Sequence, residues 1–250
     1  DNHMSVVLSE LQGRHTPGRG WIDGVLARRP TGVISVFSDL STAQRSKLET
    51  RGIPFVVVDP VGEPSQETAS IGATNWSGGL VATRHLLELG HRRIAVIGGP
   101  DHVLCSRARV DGFRAAIETA GLTVDPALVR HGNFHVEGGY EQGRILLALP
   151  DRPTAIFAGS DLQALGVYEA AREAGLRIPE DLSVVGFDDL PVARWIGPPL
   201  TTVRQPLLEM AAAGARLALN LARGEQPAHR RIELATSLLP RHSTAPPRLH

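Results

Sequence analysis

Short apolar runs alternate with segments of helical period along nearly the whole chain, and this alternation limits the fold more than any other feature. A strand, a helix that packs back on it and a further strand make a parallel βαβ unit, so the class is α/β with mainly parallel sheets flanked by helices. Strands are predicted at 6–8, 32–37, 54–58, 70–73, 93–97, 127–130, 154–158, 182–187, 201–204 and 231–234. Helices are predicted at 20–28, 42–51, 77–89, 106–120, 136–148, 161–174 and 207–222. Gly90, Gly121 and Gly175 stand just past three of them, where a left-handed residue closes a helix. Ser77 or Asn75 is the predicted cap of the helix that ends at Leu89. With 250 residues, 42% of them apolar, the chain has the size of a two-lobed molecule.

Lys plus Arg and Asp plus Glu both number 26, and no basic cluster offers a surface for duplex DNA. Cys105 is the single cysteine, which excludes an internal disulfide and suits a reducing compartment without fixing it. No apolar run approaches the length of a membrane span, and the first residues lack the regions of a signal peptide. Asp1-Asn2-His3-Met4 reads as a cloning remnant, with a native segment as the alternative.

The apolar run 183–187 ends in two carboxylates, Asp188 and Asp189. Ligands of open parallel sheets bind outside the carboxyl ends of strands, so Asp188 is predicted to face a crevice and Asp189 to turn the other way; a plain strand-end cap is the alternative. Arg109 lies in an R-x-x-G-F pattern on a helix and offers a planar fork for adjacent hydroxyls. An arginine there can equally be a solvated surface group. Asp59 ends the apolar run 55–58, and before Pro60 it can simply start a turn. Phe134 follows Gly132-Asn133 and, read from the chain alone, can fill core. Ser160-Asp161 precedes a helix, and Asp161 is either its N-cap or a ligand contact. Gln205 carries an amide that both donates and accepts.

Other patterns carry no chemistry. Gly18-Arg19-Gly20 is half of a dinucleotide fingerprint at the wrong distance from a strand. His131 and His135 have zinc spacing, but Gly132 and Asn133 break the helix such a site needs. No nucleophile elbow occurs, and Cys105 lacks an obvious activating histidine, since His102, three residues away, falls in a predicted loop. Neither a cofactor nor a metal is predicted, and nothing points to catalysis.

Gly186-Phe187-Asp188-Asp189, the following Pro198-Pro199-Leu200-Thr201-Thr202-Val203-Arg204-Gln205-Pro206, the turn Gly90-His91-Arg92-Arg93 with its strand to Pro100, and the tail Leu239-Pro240-Arg241-His242-Ser243-Thr244 together resemble the LacI family of sugar-responsive transcription regulators. The resemblance runs from about Ser5 to Pro247. It implies a two-lobe periplasmic-binding-protein-like fold, each lobe a mainly parallel sheet flanked by helices, joined by three crossovers. The N-terminal lobe would be 1–74 with 206–233, its first βα unit missing because 5–8 aligns with the second strand, and the C-terminal lobe 75–205 with 234–250. Residues preceding Asp1 are expected on that alignment.

The same resemblance implies a non-enzymatic effector core binding a mono- or disaccharide through Asp59, Arg109, Phe134, Ser160, Asp161, Asp188 and Gln205. Ser160 stands where the family usually has asparagine, and Thr74 where it usually has aspartate. DNA would be bound only through a helix-turn-helix headpiece outside this chain, by a cytoplasmic homodimer with no membrane association. A periplasmic sugar-binding protein of a transport system is the alternative; an enzyme using Asp188 as a base has little support.

Overall fold

The computed structural model describes residues 4–9, 17–38, 40–65 and 67–248. Its elements begin α1 (Arg19–Arg28), β1 (Val33–Val36), α2 (Thr42–Thr50), β2 (Phe55–Val58), β3 (Ala69–Ala73), α3 (Asn75–Glu88), β4 (Ile94–Gly98), α4 (Leu104–Thr119) and β5 (Val129–His131). They continue α5 (Val136–Leu147), β6 (Ala155–Ala158), α6 (Asp161–Glu173), β7 (Ser183–Asp188), β8 (Thr201–Arg204), α7 (Leu207–Ala222), β9 (Arg231–Leu234) and β10 (Ser237–Leu239). Two compact units result, Asp1–Ile71 with Ala212–Arg231 and Gly72–Ala211 with Ile232–His250.

In the first unit β1, β2 and β3 are parallel neighbours. Ile22, Val25, Val33, Leu40, Leu48 and Ile53 form its core against α1 and α2. A capping box opens α2: Ser41 Oγ accepts the Gln44 N–H and Gln44 Oε1 accepts the Ser41 N–H. The strand predicted at 6–8 does not form, and Val6 and Leu8 are 89% and 94% exposed. Its backbone groups need a neighbouring strand, and among the described residues β1 is bonded to β2 alone. Of the predicted cloning remnant, residues 1–3 lie outside the described residues.

The second unit holds a six-stranded sheet in the order β10-β8-β7-β6-β4-β5, parallel throughout except for β10, which runs antiparallel to β8. Both faces are covered, which is why these strands read as unbroken apolar runs. Ile94, Val96, Phe157, Val185 and Phe187 point to the side of α3 and α4. Ala95, Ile97, Ile156, Ala158 and Val184 point to the side of α5 and α6. Glycine lets α3 and α4 touch backbone to backbone: a Cβ on Gly79 would collide with the Arg109 carbonyl, and one on Gly112 with that of Trp76.

Several local expectations are corrected. The strand predicted at 127–130 is a 3-10 turn, Pro126–Leu128, capped by Asp125, and only then β5. Asn75 is the first residue of α3, not its cap, and its side chain bonds Ala73 and Arg109; Thr74 stands at the cap position but makes no capping bond, its hydroxyl being engaged with Thr236. β10 was not predicted. Gly90, Gly121 and Gly175 do take positive φ at their helix ends.

Candidate functional site

Numbered along the second unit, its parallel strands β4, β5, β6, β7 and β8 lie in the order 2-1-3-4-5, so the connections change direction between β4 and β6. In sheets of this order ligands bind at the carboxyl ends beside that switch. Gly98 and Gly159, at the ends of β4 and β6, flank it.

Arg109 reaches this point from the second turn of α4 and is 2% exposed. Its Nε donates to Asn75 Oδ1 at 2.8 Å and its Nη1 to the Gly159 carbonyl at 2.6 Å. The guanidinium lies on the Phe187 ring, 3.7 Å from its centroid, with the Phe134 ring at 5.6 Å. Nη1 is 3.7 Å from Asp188 Oδ1. The surface alternative for Arg109 is therefore wrong: its bonds are made inside, because the close contact of α3 with α4 sets Asn75 beside it.

Asp188 Oδ1 also accepts the Gln205 side-chain amide at 2.7 Å, and the Gln205 N–H meets the Asp188 carbonyl at 3.3 Å. The Asp188 side chain keeps 18% exposure where that of Arg109 keeps 3%. Burial raises the Asp188 carboxyl above its ordinary value, opposed by Arg109 and the Gln205 bond. Gln205 Oε1 is buried without a hydrogen-bond partner among the described residues. Asp189 points away, as predicted, to Arg241, with Arg194 and Arg204 at 3.8 and 3.9 Å.

Phe134, with φ 66°, packs its ring on Gly99, and its carbonyl accepts the Ser160 hydroxyl at 3.0 Å. Ser160, not Asp161, caps α6, accepting the Gln163 N–H at 3.1 Å. The N-cap expectation for Asp161 fails because Asp161 is already helical and wholly buried. Asp59 ends β2 in the other unit with φ 48°, donating its N–H to the Ile71 carbonyl. The structure thus brings together Arg109, Asp188, Gln205, Phe134 and Ser160.

Asn75 and Phe187, the groups that orient Arg109, were not predicted for the site. Phe187 had a signal in its place one residue before Asp188 on the opposite face of the strand. Asn75 had none, since its partner lies 34 residues away. Among the described residues no group of three His, Cys, Asp or Glu side chains could hold a metal ion, and no helix is long and apolar enough to cross a membrane. What the cluster can do is grip hydroxyls: a carboxylate and an amide oxygen accept, a guanidinium fork donates, and an aromatic face lies beside them.

Comparison with known proteins gives consistent matches. The model of the periplasmic binding protein-like domain matches residues 83–244. The HTH-type transcriptional regulator CelR of Thermobifida fusca is 37% identical over 234 residues, which are 93% of this chain and 65% of that protein. The HTH-type transcriptional repressor PurR of Haemophilus influenzae is 35% identical over 216 residues, 86% of this chain and 64% of that protein. The chain therefore spans less than two thirds of the length of these curated relatives. A CelR–cellobiose complex superposes with a TM-score of 0.82 at 35% identity, covering 90% of this chain and 69% of that one. A LacI family regulator from Enterococcus faecium with bound ribose does so with 0.81 at 29% identity, covering 91% and 85%.

Proposed function

Because this chain belongs to the periplasmic binding protein-like domain family, in the form carried by LacI-family regulators, we propose that it is the effector-sensing core of a transcription regulator and that its effector is a sugar. The observation that carries this reading is the buried Arg109–Asp188–Gln205 cluster, whose acceptors and donors suit the hydroxyls of a neutral polyol. An anionic effector would meet the Asp188 carboxylate. Cellobiose and ribose, the ligands of two similar structures, set the size range, a mono- or disaccharide. Phe134 supplies the apolar face for the ring, and the Ser160 hydroxyl holds the Phe134 carbonyl behind it.

Binding works as a signal only if the sugar prefers one arrangement of the lobes over another; the free energy of the switch is that difference in affinity. DNA contact belongs to a helix-turn-helix headpiece of the whole regulator, paired in a homodimer in the cytoplasm. The relatives named above are regulators, which favours this reading over a transport protein and over an enzyme.

A thermal-shift and calorimetric screen against cellobiose, ribose, other pentoses, hexoses and disaccharides tests it. A sugar at a hundred times its Kd stabilises the fold by about 2.7 kcal/mol, a shift of several degrees. One selective sugar supports the reading. A sugar that binds wild type, Asp188→Asn and Arg109→Lys with equal affinity would remove the site from this cluster.

A further inference from the structure

Strand β7 runs into a corner made of two consecutive non-glycine residues with left-handed backbone, Asp188 at φ 116° and Asp189 at φ 59°. Such conformations persist only where the surroundings over-determine them. Directly beneath this corner lies Asp161, with a relative exposure of 0%. One of its oxygens, Oδ2, accepts the N–H of Leu190, the first residue after the corner, at 2.7 Å. The other, Oδ1, accepts the Thr202 hydroxyl of β8 at 2.5 Å. Gly186 leaves the space for it, since a Cβ there would collide with Oδ1. From above, Gln205 bonds both the carbonyl and the carboxylate of Asp188, and from the side Arg241 holds the Asp189 carboxylate.

We propose that Asp161 is a positioning residue for the effector site, holding the 188–190 corner in its left-handed path so that Asp188 faces Arg109 and Gln205 while Asp189 faces away. This rests on reading Asp188 as the effector contact. Asp161 acts through Asp188 and does not touch the ligand, which departs from the role its resemblance implied.

The geometry asks for two hydrogen-bonding positions, an acceptor for the Leu190 N–H and a partner for the Thr202 hydroxyl, and not for a charge. An asparagine in place of Asp161 accepts from Leu190 with its oxygen and donates to the Thr202 hydroxyl with its nitrogen; an alanine does neither. The carboxylate is nonetheless its own reporter. Burial first, then Asp188 and Asp189, push it up to about 7 against the Thr202 and Leu190 bonds. The charged and titratable groups around it are those two aspartates, Arg109 behind Asp188, Arg194, Arg204 and Arg241 behind Asp189, and Tyr168 on its own helix.

Backbone amide NMR of the full chain tests the proposal without any ligand. In wild type the Leu190 amide proton titrates with a midpoint near the Asp161 value of about 7; Thr202→Val moves the midpoint up and Asp161→Asn abolishes it. In Asp161→Ala, hydrogen exchange at Leu190 and Gln205 accelerates by about tenfold or more, while Asp161→Asn keeps wild-type protection. Titration calorimetry with cellobiose and ribose adds a second arm: affinity falls in Asp161→Ala and is retained in Asp161→Asn. Unchanged exchange at both amides in Asp161→Ala overturns the proposal. Should that variant fail to fold, a Leu190 amide that exchanges in wild type as fast as the amides of exposed loops overturns it equally, since the bond to Asp161 would then hold nothing. If wild type binds neither sugar, the sugar reading is what fails, and the amide measurements still decide the role of Asp161.

Discussion

The two ends of the six-stranded sheet are built on opposite terms. At the amino end, His91 bonds Thr154 Oγ1 at 2.8 Å, Ser183 Oγ at 3.0 Å and the Ala245 carbonyl at 2.9 Å. Ser243 there donates to the Val184 carbonyl and accepts the Thr201 N–H, so the C-terminal tail is sewn to the start of β7 and β8 by satisfied groups. At the carboxyl end stand Phe134, Asp188 and Asp189 with positive φ. The buried atoms without partners among the described residues, Ser106 Oγ, Gln163 Oε1 and Gln205 Oε1, belong to residues at that same end. Unsatisfied groups and strained backbone cost stability, and among the described residues of this unit these three side chains and the positive-φ aspartates and Phe134 gather at the end where we propose the effector site.

The largest effect that would sharpen this contrast is expected from Arg109→Ala. It leaves the Asp188 carboxylate buried and unpaired and removes the contacts with Asn75, Gly159 and Phe187. Losing one partner of a buried pair costs about 3–5 kcal/mol, so chemical denaturation and sugar binding should both suffer. A variant as stable as wild type would mean that the cluster does not need its cation.

Opposite pH responses at the two ends come next. Burial, followed by His85, lowers the His91 pKa below its ordinary 6.5 against the Ala245 bond. The unfolded chain then binds more protons, so this share of stability is complete above about pH 6.5 and is lost on acidification. Asp161 has the other sign: raised from 3.8 to about 7, it binds more protons when folded, and stability falls as pH rises across that window. Denaturation from about pH 4 to 8 should find the acid-side loss flattened in His91→Gln and the neutral-side loss flattened in Asp161→Asn. Matching pH curves for all three proteins would show that neither end feels its buried group.

Asp188→Asn separates binding from stability. Burial already disfavours its charge, and Arg109 keeps its bonds to Asn75 and Gly159, so denaturation should change far less than in Arg109→Ala, while sugar affinity drops by roughly 1.5–3 kcal/mol for the lost charged acceptor. Equal losses of both would recast Asp188 as a structural group. Smallest of all is Arg92→Ala: its side chain is exposed and bonds main-chain carbonyls, and neither melting temperature nor affinity should move measurably.

Much of the scaffold was legible because its signals are local. Gly90, Gly121 and Gly175 end helices for the conformational reason read from the chain, and the unbroken apolar runs of β4, β6 and β7 report burial on both faces. The misses are where a local signal was too weak or false. Ser237–Leu239 is a strand only because β8 lies beside it, and Val6 to Leu8 is apolar but finds no neighbour among the described strands. For the site, the end of β7 pointed to Asp188, yet the burial of Arg109 and the capping role of Ser160 were not readable.

By itself, the sequence determined the α/β class, the run of strands and helices, and the strand ends at which polar groups would gather, since periodicity and helix-stop residues act over a few positions. Which of those groups face each other was decided by tertiary structure alone. Arg109 meets Asn75 and Gly159 across 34 and 50 residues, and Asp161 meets Leu190 and Thr202 across 29 and 41. A hydrogen bond depends on a few tenths of an ångström and on burial, and neither is set until the sheet has brought those distant segments together.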